Sequence, residues 1–418
     1  MSERPVHAHS DLFPYRDGEL TIGGIPASRL AAQIGRTPFY AYDRGVIARR
    51  VAEWRAVMPP PLSLHYAIKA NPMPALVQFM AGLVDGFDVA SAGELRVALD
   101  AGMPAERISF AGPGKTDAEL RSAVAAGVTI NLESAGELER LARIGEALGL
   151  RPPVAVRVNP DFELKASGMK MSGGPKPFGI DAEQVPELLE RLRELPVALR
   201  GFHIFTGSQN LRSEAIVEAH DQTFALAERL AEQWPHPIAY LNIGGGLGIP
   251  YFPGEQPLDL LPIAENLARR IDGLGPRLQH AELTMELGRY LVGEAGVYLC
   301  QVLDRKVSRG LTYLIVDGGL HHHLAASGNF GQVIRKNYPL AVAAQAEPCD
   351  IVEDVSVVGP LCTPLDILAD RIRLPICRPG DLLALLQSGA YGYTASPLDF
   401  LSHPAPLQAL VGPVHRHR

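Results

Sequence analysis

LSLHYAIKANPMPALVQFMAGLVDGFDVASAGELRVALDAG, residues 62–102, sets the period of the chain. An apolar run, Leu64–Ile68, ends in a lysine. A second, Gly86–Ala90, leads into the helical pattern Glu94–Ala101. The alternation continues through the strand candidates Ile108–Ala111, Val128–Leu132, Val154–Val158, Leu199–Phe205, Ala239–Ile243 and Glu282–Glu286. Between them lie the amphipathic stretches Asp117–Ala126, Ala135–Leu148, Ala182–Leu195, Glu214–Trp234 and Leu260–Gly273. Short apolar strands separated by helices suit a parallel sheet covered on both faces. Eight such units in succession predict an α/β fold with a closed (β/α)8 TIM-like barrel rather than an open doubly wound sheet. The helix Arg44–Val57 precedes the first strand. Beyond about residue 290 the runs Val297–Val307, Thr312–Val316, Ile351–Val358, Ile372–Cys377 and Asp381–Leu386 alternate with Gly, Pro and Asp. They predict an all-β, Greek-key-like C-terminal domain, which Glu19–Ile22 joins. The expected division is therefore a barrel over residues 36–290 and a β-domain made of residues 1–35 plus 291–418.

The 418 residues suffice for two domains with a large core. A formal charge of -7 argues against a nucleic-acid binder, which needs a basic stripe. Cys300, Cys349, Cys362 and Cys377 are scattered without a CxxC pair, which suits free thiols in a reducing compartment. No apolar run approaches the length of a membrane helix, and MSERPVHAHSDLFPY has no signal-peptide core, so a cytoplasmic protein is expected. The triplet His321–His323 has no matching carboxylate or Cys cluster and reads as a solvated or packed loop; no metal is expected.

In a barrel of this kind the chemistry sits at the C-terminal strand ends, and the unusual residues collect there. Lys69 follows the first strand in HYAIKANP; if buried, its amine loses charge and becomes a nucleophile. IGGGLG, Ile243–Gly248, allows backbone N–H groups to wrap a phosphate. It is not the GxGxxG pattern, and no acidic ribose-binding residue is evident downstream, so a dinucleotide fold is rejected. Ser208 in GSQ could join the same phosphate. Glu286 and Arg289 in MELGRY emerge from an apolar strand and need a partner or a ligand. Cys362 stands in GPLCTPLD, Gly359–Asp366, and Tyr391 in SGAYGY.

In this order, YAIKAN, FDVASAGEL, GSQ, GGGLG, ELGRY, GPLC…D and GAYG resemble the fold-type III pyridoxal-phosphate decarboxylases, the ornithine and diaminopimelate decarboxylase family, over about residues 35–400. The resemblance implies a barrel plus a β-domain, a homodimer with active sites at the subunit interface, and pyridoxal 5'-phosphate as cofactor. Lys69 would carry the cofactor as a Schiff base. Ser208, Gly244, Gly245, Gly246 and Arg289 would hold its phosphate, helped by Tyr391. Glu286 would bind the pyridine nitrogen, and Asp88 and Glu94 would support Lys69 and the ring. Cys362, from the partner subunit, would return a proton to the substrate carbon. A carboxylate at the ring nitrogen strengthens the electron sink and favours decarboxylation over racemisation.

The family's ring-stacking His is replaced by Phe205 in GFHIFTGS. With His203 two residues earlier on the same strand face, Phe205 is expected to stack and His203 to sit close by, although the roles could be exchanged. Thr363 stands where these decarboxylases carry a Glu or Asp that faces the substrate's distal amine. The Arg and Tyr pattern for a distal carboxylate is not recognisable in Leu320–Pro339. Thr363 and Asp366 in LCTPLD, with the loop Lys165–Ile180, look closer to decarboxylases of biosynthetic clusters and exosortase systems. Some of these act on an amino acid tethered to an acyl carrier protein. Lys165, Lys170 and Lys176 of that loop could meet such a carrier; a solvated flexible loop is the alternative. A free diaminopimelate- or ornithine-type decarboxylase, an amino-acid racemase on the same scaffold and a cofactor-free relative are the competing readings.

Overall fold

Eight parallel strands close on one another: β1 Leu62–Ala67, β2 Gly86–Val89, β3 Ile108–Phe110, β4 Thr129–Leu132, β5 Pro153–Asn159, β6 Ala198–Ile204, β7 Tyr240–Asn242 and β8 Glu282–Leu287. Each pairs with its successor and β8 returns to β1, with Glu286 opposite His65. In this computed structural model the described residues are 6–162, 169–170, 173–332 and 334–413. Helices follow the strands, and their starts are written locally. The pentapeptide SAGEL occurs at 91–95 and again at 134–138, each time opening a barrel helix. Ser91 and Ser134 accept the N–H of Glu94 and Glu137 at 3.1 Å, and Thr116 with Glu119 forms a full capping box. Each such cap is worth about 1 kcal/mol.

The chain forms two compact units, residues 51–249 with 257–290, and residues 1–50 with 250–256 and 291–418. The boundary falls at Arg50/Val51, inside the helix Arg44–Val57, rather than at the expected residue 36. The reason is the strand Phe39–Asp43, which pairs antiparallel with Gly296–Ser308 and parallel with Leu407–Val411. The second unit is a mixed sheet ordered Leu340–Ala344, Leu382–Leu385, Gly296–Ser308, Leu311–Val316, Val352–Val358, Ile367–Pro375. Its long strand Gly296–Ser308 is buried over its first half, between Phe39–Asp43 and Leu382–Leu385. It becomes exposed where Leu311–Val316 alone pairs with it. All four cysteines are free. Among the described residues no helix is long and apolar enough to cross a membrane.

The histidine triplet is packed, not solvated. His322 contacts the Tyr298 hydroxyl at 3.1 Å and the Pro404 carbonyl at 3.0 Å, while His323 contacts the Ser388 hydroxyl at 2.9 Å. Burial pushes the three imidazoles down, to about 3, 4 and 3 for His321, His322 and His323. Among the described residues no group of three or more His, Cys, Asp or Glu is placed to hold a metal ion.

Candidate active site

Lys69 lies just past β1, on the single 3-10 turn Ile68–Ala70. Its Nζ is 3.1 Å from Oε1 of Glu286, near the end of β8, and 5.5 Å from the ring centre of Phe205. The burial expected for Lys69 is not found. Its side chain is 46% exposed, whereas that of Glu286 is 5% exposed, so the acid rather than the amine is the desolvated member of the pair. Burial alone would push the Glu286 carboxyl up. The Lys69 ammonium and His203, whose Nε2 is 3.4 Å from Oε2, outweigh it and hold the acid well below the usual carboxylate range. Glu94 shifts the other way, raised chiefly by burial, although it accepts the Ala90 N–H at 2.7 Å and feels Lys69.

β6 ends at Ile204, one residue short of the expected end, so Phe205 stands beyond the strand with a half-buried ring while His203 is buried within it. Their rings meet edge to face at 6.5 Å. This order puts His203 against the acid and Phe205 beneath the amine.

The glycine run owes its shape to Asn242, the last residue of β7. Its Oδ1 accepts the Gly244 N–H at 2.8 Å, and Gly244 and Gly246 adopt φ of +71° and +89°. The Gly244 carbonyl accepts the Glu286 N–H at 2.8 Å, and a Cβ on Gly245 would collide with the Glu286 carbonyl. The turn and the acid therefore share one backbone contact, which only glycine allows. Ser208, half-buried on the short strand Gly207–Ser208, and half-buried Arg289, directly after β8, complete the barrel residues expected for a phosphate. Arg289 opens the four-residue helix Arg289–Val292.

Asp88, on β2, is buried beside His65 at 3.4 Å and accepts a hydrogen bond from Ser109. It belongs to an inward polar layer in which Asn131 donates to Ser109 at 3.2 Å. Sequence reading missed a neighbouring charge cluster. Lys115 donates to Glu137 at 2.9 Å, and Arg157 donates to Glu133 at 2.7 Å while lying over the Phe178 ring at 5.2 Å. An arginine inside VAVRVN was its one signal, since a charge facing a barrel interior needs a partner.

Cys362, Thr363, Asp366 and Tyr391 belong to the β unit. Cys362 is exposed and Thr363 half-buried. Asp366, expected to face a substrate, does not. It is 2% exposed, and its two carboxylate oxygens accept the N–H groups of Leu320 (2.6 Å) and Leu361 (2.8 Å). It clamps the turn that displays the thiol. Tyr391 is half-buried at φ +54°. In the basic loop, Lys165 and the side chain of Lys170 lie outside the described residues. Lys176 lines a cleft of about 520 Å³ together with Glu133, Asp181, Glu187 and Arg191, a mixed rather than basic surface.

Residues 44–293 match the family model for the pyridoxal-binding domain of pyridoxal-dependent decarboxylases. The chain is 38% identical to the L-glutamyl-[BtrI acyl-carrier protein] decarboxylase of Niallia circulans, over 90% of this chain and 88% of that protein. It is 32% identical to the 2-[(L-alanin-3-ylcarbamoyl)methyl]-2-hydroxybutanedioate decarboxylase of Staphylococcus aureus, over 90% and 95%. Among solved structures it resembles the diaminopimelate decarboxylase of M. jannaschii in complex with L-lysine, with a TM-score of 0.85 and 27% identity over 96% and 93% of the two chains.

Proposed function

Because the chain belongs to the pyridoxal-dependent decarboxylases, we propose that it removes CO2 from an amino acid whose far end bears no free amine, with Lys69 holding the cofactor and Cys362 supplying the proton. The residues suit pyridoxal phosphate. An amine meets a buried acid over an aromatic ring, and a glycine turn, a hydroxyl and a guanidinium lie at neighbouring strand ends. When bound, the cofactor takes up the electron pair left on the substrate carbon as CO2 departs. Lys69 would hold the aldehyde end of the cofactor. Glu286 keeps the proton on the pyridine nitrogen, and His203 holds Glu286. Phe205, whose ring lies 5.5 Å from the Lys69 amine, would pack against the cofactor. Ser208, the run Gly244 to Gly246 and Arg289 hold the phosphate, helped by Tyr391. Asp88 and Glu94 set the field around Lys69.

One observation carries this reading: the 3.1 Å contact of the Lys69 amine with the desolvated Glu286 carboxylate. A carboxylate at the ring nitrogen favours loss of CO2 over racemisation, because it keeps that nitrogen protonated. Cys362 is exposed on its own unit, which suits a thiol offered to a second copy of the chain, so the working form is a homodimer.

The far end of the substrate is read from Thr363, which brings no negative charge to meet an amine. Two relatives are named for L-glutamyl-[BtrI acyl-carrier protein] and for 2-[(L-alanin-3-ylcarbamoyl)methyl]-2-hydroxybutanedioate, and neither name includes a far-end amine. A carrier-tethered substrate fits best. The test is CO2 release from a panel of free amino acids and aminoacyl carrier proteins, with borohydride trapping of the cofactor. The label is expected on Lys69, with Lys69→Ala colourless and slower by roughly 10⁴-fold, the upper range for one positioned acid–base group. Fast turnover of free diaminopimelate or ornithine would refute the substrate reading. A colourless Lys69→Ala enzyme that releases CO2 at the wild-type rate would refute the assignment of Lys69.

A further inference from the structure

A chain of side chains runs through the barrel interior from β2 to the glycine turn. The Ser109 hydroxyl, on β3, donates to the Asp88 carboxylate on β2. Asn131 Nδ2, on β4, donates to the Ser109 oxygen at 3.2 Å. The Tyr240 hydroxyl, on β7, hydrogen-bonds the Ser109 side chain and accepts from Asn242 Nδ2 at 3.3 Å. Asn242 Oδ1 in turn accepts the Gly244 N–H at 2.8 Å. All five side chains are buried, where an unmatched donor or acceptor is costly.

The chain has one polarity. A hydroxyl has a single proton to give. Ser109 gives its proton to Asp88, so it can only accept from Asn131 and Tyr240. Tyr240 thereby commits its own proton and can only accept from Asn242. That leaves the Asn242 amide with its NH2 group on Tyr240 and its oxygen on Gly244. Were the phenolic proton turned towards Asn242, the amide would turn over and set an NH2 group against the Gly244 N–H. Asp88 fixes the direction, because an ionised carboxyl only accepts. His65 Nδ1 stands 3.4 Å from its other oxygen. Burial pulls the His65 imidazole down, but the Asp88 carboxylate, with Glu282 and Asp85 behind it, outweighs burial and raises the His65 pKa. An imidazolium beside Asp88 favours the ionised acid.

We propose that Ser109 and Tyr240 are positioning residues for the cofactor phosphate. They carry the polarity of Asp88 to the Asn242 amide and so fix which way the glycine turn presents its N–H groups. This rests on the reading that Gly244 to Gly246 hold the phosphate.

The experiment strips purified, cofactor-loaded enzyme with hydroxylamine. The protein is then titrated with pyridoxal phosphate and with pyridoxal, which has the ring and the aldehyde but no phosphate. Tyr240→Phe and Ser109→Ala each break the chain and leave Lys69, the glycines and Arg289 in place. Each should weaken pyridoxal phosphate roughly tenfold to a hundredfold, the range for stranding one buried polar group, and change pyridoxal by less than about twofold. Each should also displace the phosphorus NMR signal of the reloaded enzyme. The double variant should lose no more than the weaker-binding single one, because either change cuts the same chain. Tm establishes that each variant is folded. Ser109→Ala, which removes one oxygen, carries the test if Tyr240→Phe does not fold.

Equal losses of both ligands would mark a general loss of structure and overturn the inference. So would single variants that bind pyridoxal phosphate like wild type, or losses that add in the double variant. Wild type separates the two levels. If it binds pyridoxal as tightly as pyridoxal phosphate, the glycine turn is not the phosphate site, and the underlying reading fails with the inference. If it prefers the phosphate and the variants keep that preference, only Ser109 and Tyr240 have been misassigned.

Discussion

Glu286 in the barrel and Asp366 in the β unit are both carboxylates near strand ends, buried to 6% and 2% exposure. Glu286 is surrounded by side chains, Lys69 at 3.1 Å and His203 at 3.4 Å, and these hold it ionised. Asp366 is surrounded by backbone, the N–H groups of Leu320 and Leu361. Burial nevertheless raises its carboxyl, because two neutral donors do not replace hydration. A carboxylate held by side chains can exchange one of them for a ligand. One held by backbone N–H groups cannot let go without opening the turn. Burial does not distinguish a chemical acid from a structural one; the identity of the donors does.

The largest expected difference between them is in turnover. Glu286→Gln keeps the shape and removes the charge, and kcat/KM for CO2 release should fall roughly 10²- to 10³-fold, as when one preorganised electrostatic group is lost. A loss below tenfold would place Glu286 with Asp366 among structural acids. Next is stability. Asp366→Asn turns one acceptor into an NH2 group that opposes a backbone N–H. It should cost about 1–3 kcal/mol, the penalty of an unsatisfied buried donor, and be read as a lower Tm. An unchanged Tm would show that the clamp is dispensable.

The smallest effect is in pH dependence, and there the two acids have opposite signs. The folded value of Glu286 is depressed, so its contribution is present above its ordinary value of 4.5 and is lost as pH falls through the folded value. That of Asp366 is raised, so its contribution is present below its ordinary value of 3.8 and is lost as pH rises through the folded value. Between pH 7 and 3.5, the Tm gap between wild type and Glu286→Gln should narrow on acidification. The gap to Asp366→Asn should widen. Parallel curves would break the contrast.

Much of the barrel half was legible from local pattern. Short apolar runs followed by 3.6-period stretches mark strand and helix wherever both faces of a sheet are covered, and Lys69, the glycine run and Glu286 stand out as exceptions at their ends. The β half was less so. Phe39–Asp43 and Leu407–Val411 were not seen as strands, since each is defined by a partner far along the chain rather than by its own alternation.

By itself, the sequence determined the order of elements and which residues could do chemistry, because periodicity and residue type are local properties. Tertiary structure alone decided that Phe205 lies past its strand and beneath the Lys69 amine while His203 turns to Glu286. It also decided that both carboxylate oxygens of Asp366 accept backbone N–H groups. Each of these depends on which groups meet across long stretches of chain, and desolvation and charge pairing act only once those groups have met.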